Sequence, residues 1–361
     1  MALLQHAKRT AMRAAAGGVL WTLRHLPLGF RAERTLLRRS WQSGSADMLD
    51  AYLVSGYQNP RVNVQSILVR HALLARLLGP AAAAAMEEEI DWAIELNEVL
   101  RRRAAELGVK MAAYRDPVKH AAVRRVDAAI AERDHEFTDR WRQRLDRLET
   151  DPISVIEFAC GSANDYRAFA AAGLGPHLDY LGIDLSEKNI ANARRRHPEA
   201  RWEVGDILDL SHDDRAFDYV VASDIFEHLS IEAMEHALAE AMRLAQDGVI
   251  LTFFNMADAP DHEVRRVRAY HWNTLSRERI EAQLEAAGFG ARLTLPIARW
   301  LRTVHGYGHS YNQHAWTIIA ERVPRIIDVL PHRLEHPHGS DRGRDRGTYV
   351  RSDERGETDE H

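Results

Sequence analysis

The stretch VIEFACGSAND, residues 155–165, decides the fold of this chain. An apolar run at 153–156 leads to the acid Glu157, a turn of small residues follows at 159–163, and a helical pattern begins near Asn164. A strand, a tight turn and a helix start in this order are how an open α/β sheet builds a ligand site at its strand ends. Small residues let the backbone approach a ligand, and the first helical turn offers free N–H groups. The stretch therefore predicts a ligand-binding strand–turn–helix unit.

Apolar strands alternate with helical segments throughout residues 151–322. This alternation is typical of a parallel sheet covered by helices on both faces. The predicted strands are Ser154–Phe158, Tyr180–Ile183, Arg201–Val204, Tyr219–Ala222, Val249–Phe254, Ala291–Leu295 and Ala315–Ala320.

Three other regions differ from this part in composition. Residues 45–150 have helical spacing, most clearly over Val62–Leu78, which ends at a Gly-Pro pair. Residues 1–44 form a basic amphipathic segment, whose first 40 residues hold eight Lys or Arg against one acid. Residues 323–361 are rich in Pro, Gly and charged residues, so we expect a disordered tail.

Composition excludes several classes of protein. The net charge of −5 argues against a nucleic-acid partner, and the single Cys160 excludes an internal disulfide framework. No apolar run reaches the roughly 20 residues of a membrane span, and no secretory signal is recognisable, so we expect a cytoplasmic protein. Three interpretations of the basic segment remain: residues 1–40 contact the inner face of an anionic membrane, they dock a phosphorylated substrate, or they form a helix with a solvated Arg face. The oligomeric state stays open.

Acids lie at or just after three consecutive predicted strand ends, at Glu157, Asp184 and Asp206. In a doubly wound sheet these ends line one edge of the ligand crevice. An acid at the second strand end accepts hydrogen bonds from ribose hydroxyls, an acid after the third accepts from an adenine amino group, and Glu157 suits an ammonium group. A ligand with ribose, adenine and ammonium but no phosphate is S-adenosylmethionine.

Five motifs in order resemble the class I S-adenosylmethionine-dependent methyltransferases, in particular the small-molecule branch that includes ubiquinone-type O-methyltransferases. Ala159 and Ala163 stand where glycines are commoner in that family. The resemblance implies an α/β fold: a Rossmann-like seven-stranded sheet with helices on both faces, a last strand inserted antiparallel at the sheet edge, and a preceding all-helical region. The motifs are Glu157–Ala163, Leu181–Ser186, Glu203–Ile207, Phe217–Leu229, and Tyr270–Asn273 with Ala287–Phe289.

The resemblance also implies roles for individual cofactor-binding residues. Glu157 and Gly161 would hold the methionine end, with Ser223 near it. Asp184 would bind the ribose. Leu185 would cover the adenine, Asp206 would meet its amino group, and Ile207 would lie beside the ring. For each aspartate the alternative is a helix-cap or turn role.

Methyl transfer to a hydroxyl needs alignment and a group that removes the proton, for which histidine is suited. The candidates are His228 after the fourth strand, His262 after the fifth, and His271. For His228 the alternative is a structural role, and for His271 it is packing against its aromatic neighbours. No metal is predicted, because the histidines near residue 309 lack a ligand spacing.

The sequence leaves more than one function open. The first hypothesis is O-methylation of a small-molecule or glycan- or lipid-linked acceptor, with the helical region shaping the acceptor pocket. The alternative is a non-catalytic methyltransferase-fold scaffold or S-adenosylmethionine-binding protein. A nicotinamide dehydrogenase is disfavoured, because the first turn lacks G-x-G-x-x-G.

Overall fold

A computed structural model describes residues 63–80, 82, 86, 89–91, 93–94, 139, 141–267, 270–308, 312–330 and 348–350 of the chain. All of these residues belong to one compact unit. The predicted basic segment 1–44 and most of the predicted helical region 45–150 lie outside the described residues.

An eight-stranded sheet lies at the centre, in the order β12-β10-β11-β5-β4-β1-β2-β3. The strands are β1 (Ile153–Phe158), β2 (Leu178–Asp184), β3 (Arg201–Val204), β4 (Phe217–Ser223), β5 (Ala245–Phe253), β6 (Met256–Ala257), β7 (Arg266–Val267), β8 (Tyr270–His271), β9 (Leu275–Ser276), β10 (Ala291–Pro296), β11 (Trp316–Glu321) and β12 (Thr348–Val350).

The pairing of the strands confirms the predicted methyltransferase-type sheet. β3, β2, β1, β4 and β5 are parallel, while β11 pairs antiparallel with β5 and β10 and so lies between them. Because the five parallel strands run in one direction, their carboxyl ends meet at one edge, where a doubly wound sheet binds its ligand. β12 adds an eighth strand at the far side of β10.

In the described part of the chain, six named α-helices cover the two faces of the sheet or border it. Their starts are set by side-chain caps: Asn63, Ser186, Ser230 and Ser276 each accept a hydrogen bond from a backbone N–H two or three residues later. The helices are α1 (Val64–Leu78), α2 (Asn164–Ala171), α3 (Glu187–Arg196), α4 (Ile231–Leu244), α5 (Arg277–Ala286) and α6 (Ile297–Val304).

Two apolar cores lie on opposite faces of the sheet. One includes buried residues of α1, α2, α3 and α6, and the other includes those of α4 and α5. Close packing explains Gly182 in the middle of β2, since a Cβ atom there would lie 2.5 Å from the Trp202 ring. Since buried residues of α1, β1 and α2 lie in one core, α1 belongs to the same core as the strand–turn–helix unit that the sequence singled out.

The predicted disordered tail, 323–361, begins too early. Ile326 and Ile327 are fully buried, and the buried carboxylate of Glu321 accepts hydrogen bonds from the N–H groups of residues 325–327. Further along, β12 pairs with the edge strand β10. A few apolar residues in a charged, Pro-containing segment gave too weak a signal for the sequence to reveal this packing. α6 was also not predicted.

Candidate cofactor and acceptor site

The turn after β1 has a left-handed backbone at three positions. The φ angles are 54° at Ala159, 58° at Gly161 and 68° at Ala163. A left-handed conformation costs a residue with a Cβ atom about 1–2 kcal/mol, which glycine avoids. Ala159 and Ala163 thus adopt the left-handed backbone conformation that glycine takes easily. The turn therefore has this conformation although glycine is absent from both positions.

Asp184, at the end of β2, ties this turn to the start of α3. Its Oδ2 accepts a hydrogen bond from the Gly161 N–H at 2.9 Å, and its Oδ1 accepts from the Ser186 N–H at 2.8 Å and from the Asn189 amide at 3.2 Å. The N–H of Gly161 is therefore turned toward Asp184. A carboxylate has about four acceptor positions, so Asp184 keeps capacity for one further donor.

Apolar side chains follow the ends of β2 and β3. Leu185 is 73% exposed and Val204 is 46% exposed, whereas Ile207 is buried. Asp206 is exposed, and its Oδ1 accepts a hydrogen bond from the Leu208 N–H at 3.0 Å, so the turn role that the sequence offered as the alternative is present. An exposed leucine beside Asp184 provides the kind of surface on which a planar base can lie.

Glu157, at the end of β1, is held by the protein itself. Its Oε2 accepts a hydrogen bond from the Tyr180 hydroxyl at 2.6 Å, and only 3% of the residue is exposed. The Tyr180 ring packs among Tyr166 and Trp202. Burial, then the charge of Asp165, raises the pKa of Glu157 well above the usual range.

Asp165, in the first turn of α2, is a site residue that the sequence analysis did not single out. It is 8% exposed, and its Oδ1 accepts a hydrogen bond from the Ser66 hydroxyl of α1 at 3.2 Å. Its carboxylate is also hydrogen-bonded by the side chain of Ser223, the last residue of β4. Burial raises the pKa of Asp165. The helix-start acid was visible in the sequence, but its partners, 99 and 58 residues away, were not.

Two more acids lie just after β4. Asp224 has a left-handed φ of 52° and accepts a hydrogen bond from the Thr252 hydroxyl at 3.2 Å. The Oε1 of Glu227 accepts from the N–H groups of Phe254 and Asn255, while its Oε2 is buried and has no hydrogen-bond partner among the described residues. Burial raises the pKa of both carboxyls, and for Asp224 the charge of Glu227 adds to it.

The candidate histidines His228 and His262 differ in which ring nitrogen has a free lone pair that can accept a proton. His228 Nδ1 lies 3.2 Å from the carbonyl oxygen of His271, and because a carbonyl only accepts, Nδ1 must donate. In neutral His228 the lone pair is therefore on Nε2. In His262 the lone pair is on Nδ1 instead, because Nδ1 accepts a hydrogen bond from the Ser276 N–H at 2.9 Å. That lone pair is therefore already occupied. Burial lowers the pKa of His262.

Aromatic side chains surround His228. Its ring centroid lies 5.8 Å from that of Tyr270 and 5.3 Å from that of Trp272, and Trp272 in turn lies 5.2 Å from Phe254. Tyr270 is 44% exposed. His271 contributes its carbonyl to His228, and its own side chain is half-buried. An apolar, aromatic wall thus stands beside the ends of β4 and β5.

The start of α1 borders the same edge of the sheet. The Gln65 amide donates to the carbonyl oxygen of Trp316 at 2.8 Å and to that of Phe253 at 3.3 Å. These carbonyls lie at the carboxyl end of β5 and at the start of the antiparallel β11, which is the same edge. α1 therefore lies over the crevice and brings Ser66 to Asp165.

Two features are absent from the described residues, a membrane-spanning helix and a metal-ligating cluster. No described helix has the length and apolar character needed to cross a bilayer. The described part of the chain also holds no cluster of three or more His, Cys, Asp or Glu arranged to ligate a metal ion.

A strand order of 3-2-1-4-5 with acids at the carboxyl ends of β1, β2 and β4 defines a doubly wound α/β protein with a ligand site at its strand ends. Residues 155–248 match the family model described as a methyltransferase domain. This part of the chain is a class I S-adenosylmethionine-dependent methyltransferase domain.

Individual relatives agree with this class. A demethylmenaquinone methyltransferase from Thermotoga maritima is 31% identical over 93 residues, which are 25% of this chain and 40% of that protein. A malonyl-[acyl-carrier protein] O-methyltransferase from Pectobacterium atrosepticum is 27% identical over 109 residues, 29% of this chain and 40% of that protein. The chain spans less than half the length of the curated relatives it matches.

A solved structure, an S-adenosylmethionine-dependent methyltransferase from Mesorhizobium loti, covers 50% of this chain and 95% of its own, at 15% identity and a TM-score of 0.38. At this level the similarity has no bearing on the substrate.

Proposed function

We propose that this protein transfers the methyl group of S-adenosylmethionine to a hydroxyl of a small-molecule or glycan- or lipid-linked acceptor. The observation that carries the proposal is the row of acids at one sheet edge, Glu157, Asp165, Asp184 and Asp224, of which three are less than 10% exposed. Buried acids at a strand-end crevice suit a ligand that brings positive charge. S-adenosylmethionine carries a sulfonium and an ammonium group.

The residues of the crevice fit each part of this cofactor. Asp184 keeps acceptor capacity for a ribose hydroxyl, and the exposed Leu185 offers an apolar surface to the adenine. Asp206 and Ile207 are the proposed partners of the adenine amino group and ring. The methionine end is proposed to lie among Glu157, Gly161 and Ser223. When bound, the cofactor supplies an electrophilic methyl group, and the protein's task is alignment.

We propose His228 as the residue that removes the proton from the acceptor hydroxyl. The hydrogen bond from its Nδ1 to the His271 carbonyl fixes the tautomer, so Nε2 of the neutral ring can accept a proton. The occupied lone pair of His262 makes it a poor alternative. The aromatic wall of Tyr270 and Trp272 would pack against the acceptor.

The acceptor itself is a proposal at the level of its class. The similar proteins are named for demethylmenaquinone and for malonyl-[acyl-carrier protein], which are chemically different acceptors. The membrane contact proposed for residues 1–40 falls outside the described residues and would be tested by vesicle co-sedimentation of the full chain with and without these residues.

The second candidate is a protein that binds S-adenosylmethionine without transferring the methyl group. In the sequence, this candidate is supported by Ala159 and Ala163, which stand where the family more often has glycine. Because Ala159 and Ala163 both take the left-handed backbone, the turn gives no reason to expect loss of binding. Methyl transfer, not binding, separates the two candidates.

The direct test is calorimetric titration of S-adenosylmethionine into the wild type and Asp184→Ala. We expect micromolar binding that the variant loses. Asp179→Ala is the matched control, because Asp179 is exposed on the same strand and forms a surface ion pair with Arg201. A folded wild type that does not bind contradicts the proposal.

The base is tested with labelled methyl groups and cell extract, followed by the identified acceptor. We expect His228→Gln to lower the turnover rate about 10²–10⁴-fold and leave S-adenosylmethionine binding intact. His262→Gln is the matched control and should retain most of the turnover. Equal losses in both variants would contradict the assignment, and binding without transfer to any extract component would favour the second candidate.

A further inference from the structure

We infer that Asp165 binds the ammonium group of the methionine part of the cofactor, and that Ser66 on α1 is its positioning residue. The inference rests on the proposed function, because it assigns one subsite of the same crevice. It places a side chain from outside the methyltransferase domain at the cofactor pocket.

The first reason is that Glu157, which the sequence assigned to the ammonium, is engaged elsewhere. Its carboxylate accepts from the Tyr180 hydroxyl at 2.6 Å, and that ring packs against Trp202 in the core. Glu157 is only 3% exposed. Glu157 therefore contributes its charge near the methionine end, while its hydrogen bond to Tyr180 leaves it fewer acceptor positions for direct contact with an ammonium group.

The second reason is the position of Asp165. Its carboxylate is hydrogen-bonded by Ser66 at the start of α1 and by Ser223 at the carboxyl end of β4, so it lies at the strand-end edge rather than in the core. Both partners are hydroxyl groups, which carry no charge. The carboxylate is more than nine-tenths buried without a direct cationic partner among its hydrogen bonds.

The third reason is electrostatic. The charge of Asp165 raises the pKa of both Glu157 and Asp224, so it lies near two other acids. The charges of Arg70 and Arg167 act on the pKa of Asp165 in the opposite sense, and Arg70 is hydrogen-bonded to Glu89. Among the described residues, the side chains that hydrogen-bond to Asp165 are uncharged, so a cation that arrives with the ligand can contact its carboxylate directly.

Ser66 gives Asp165 its orientation. It lies in the first turn of α1, whose position is fixed by the Gln65 amide on the carbonyls of Phe253 and Trp316. The hydroxyls of Ser66 and Ser223 use two of the roughly four acceptor positions of the carboxylate, which leaves about two for an ammonium donor.

The test uses two ligands that differ only in the ammonium group: S-adenosylhomocysteine and its deaminated analogue. Both are titrated calorimetrically into the full-length wild type, Asp165→Asn and Asp184→Asn. We expect Asp165→Asn to weaken S-adenosylhomocysteine about 10–100-fold and the deaminated analogue less than about threefold, because only a charged hydrogen bond is removed. Asp184→Asn should weaken both ligands alike.

The outcomes are distinguishable. Equal weakening of both ligands by Asp165→Asn means a structural role and overturns the inference, as does unchanged affinity for both. Wild type that binds neither ligand overturns the proposed function as well.

Ser66 variants keep the inference testable if Asp165→Asn does not fold. We expect Ser66→Ala to weaken S-adenosylhomocysteine about threefold and leave the deaminated analogue unchanged, and Ser66→Thr, which keeps the hydroxyl, to bind like the wild type. A Ser66→Thr protein as weak as Ser66→Ala would overturn the positioning role.

Discussion

Two groups of buried acids in the described part of this molecule differ in the partners that the protein gives them. Glu89, beside α1, binds Arg70 and His71, and although burial raises its pKa, these partners outweigh burial and lower it to about 2. The crevice acids Asp165 and Glu227 have no such direct partner among the described residues, and burial raises their pKa. The first region carries its own counter-charge, whereas we propose that a cationic ligand supplies the counter-charge of the second.

Another buried acid, Glu321, shows that a raised pKa does not by itself mark a ligand site. Burial also raises the pKa of Glu321, at the opposite edge of the sheet. Yet its two oxygens accept four or more hydrogen bonds, from Tyr219 and from the backbone of residues 325–327. The difference lies in the partners: Glu321 is saturated by the protein, and Glu227 Oε2 is not.

The largest expected effect on stability concerns Glu89, whose charge is balanced by Arg70 within the protein. Glu89→Gln leaves the buried Arg70 without its counter-charge, so we expect a loss of about 3–5 kcal/mol in the free energy of unfolding. Urea denaturation measures it. Asp179→Asn, which removes an exposed ion pair with Arg201, is the control and should cost less than about 1 kcal/mol. Similar costs for both would break the distinction between the two regions.

A smaller effect is expected on the pH dependence of the free energy of unfolding, through Glu227. A carboxyl whose pKa is raised on folding stabilises the protein below its ordinary pKa and loses this contribution as pH rises through the raised value. Glu227→Gln, which mimics the protonated acid, should therefore match the wild type near pH 4.5 and be about 1–3 kcal/mol more stable at pH 8.

Urea denaturation of both proteins across this pH range checks the expectation, with the exposed Glu263→Gln as control. A difference between Glu227→Gln and the wild type that does not grow with pH would show that Glu227 is as well compensated as Glu89.

The smallest effect on the free energy of unfolding is expected in the turn after β1. Ala159 is held at a φ of 54°, so glycine should relieve strain, partly offset by the greater freedom of glycine in the unfolded chain. We expect Ala159→Gly to raise the free energy of unfolding by about 0.5 kcal/mol with unchanged cofactor affinity. A loss above about 1 kcal/mol in thermal denaturation would mean that the methyl group packs in a way the backbone angle does not reveal.

The sequence predicted the order of the elements well, because hydrophobic periodicity and caps are local signals. The helix predicted at Val62–Leu78 is observed at Val64–Leu78, and the strand before Asp184 ends where it was expected. The short elements β7, β8 and α6 were missed, since two to eight residues carry little periodicity.

The candidate site could be predicted only in part. That Glu157, Asp184 and Asp206 meet at one edge follows from parallel strands. Which of them faces a ligand depends on partners distant in the chain, such as Tyr180 for Glu157 and Ser66 for Asp165. A single sequence carries no sign of such pairings, nor of the carbonyl that fixes the tautomer of His228.

The most direct test of the account is calorimetric titration of S-adenosylmethionine at several pH values, in buffers of different ionisation enthalpy. If buried crevice acids such as Asp165 give up protons to receive a cation, binding should release protons at acidic pH, and affinity should rise with pH until the raised pKa values are passed. Binding that releases no protons and keeps one affinity from pH 5 to 8 would contradict the claim that the crevice acids await a cationic ligand.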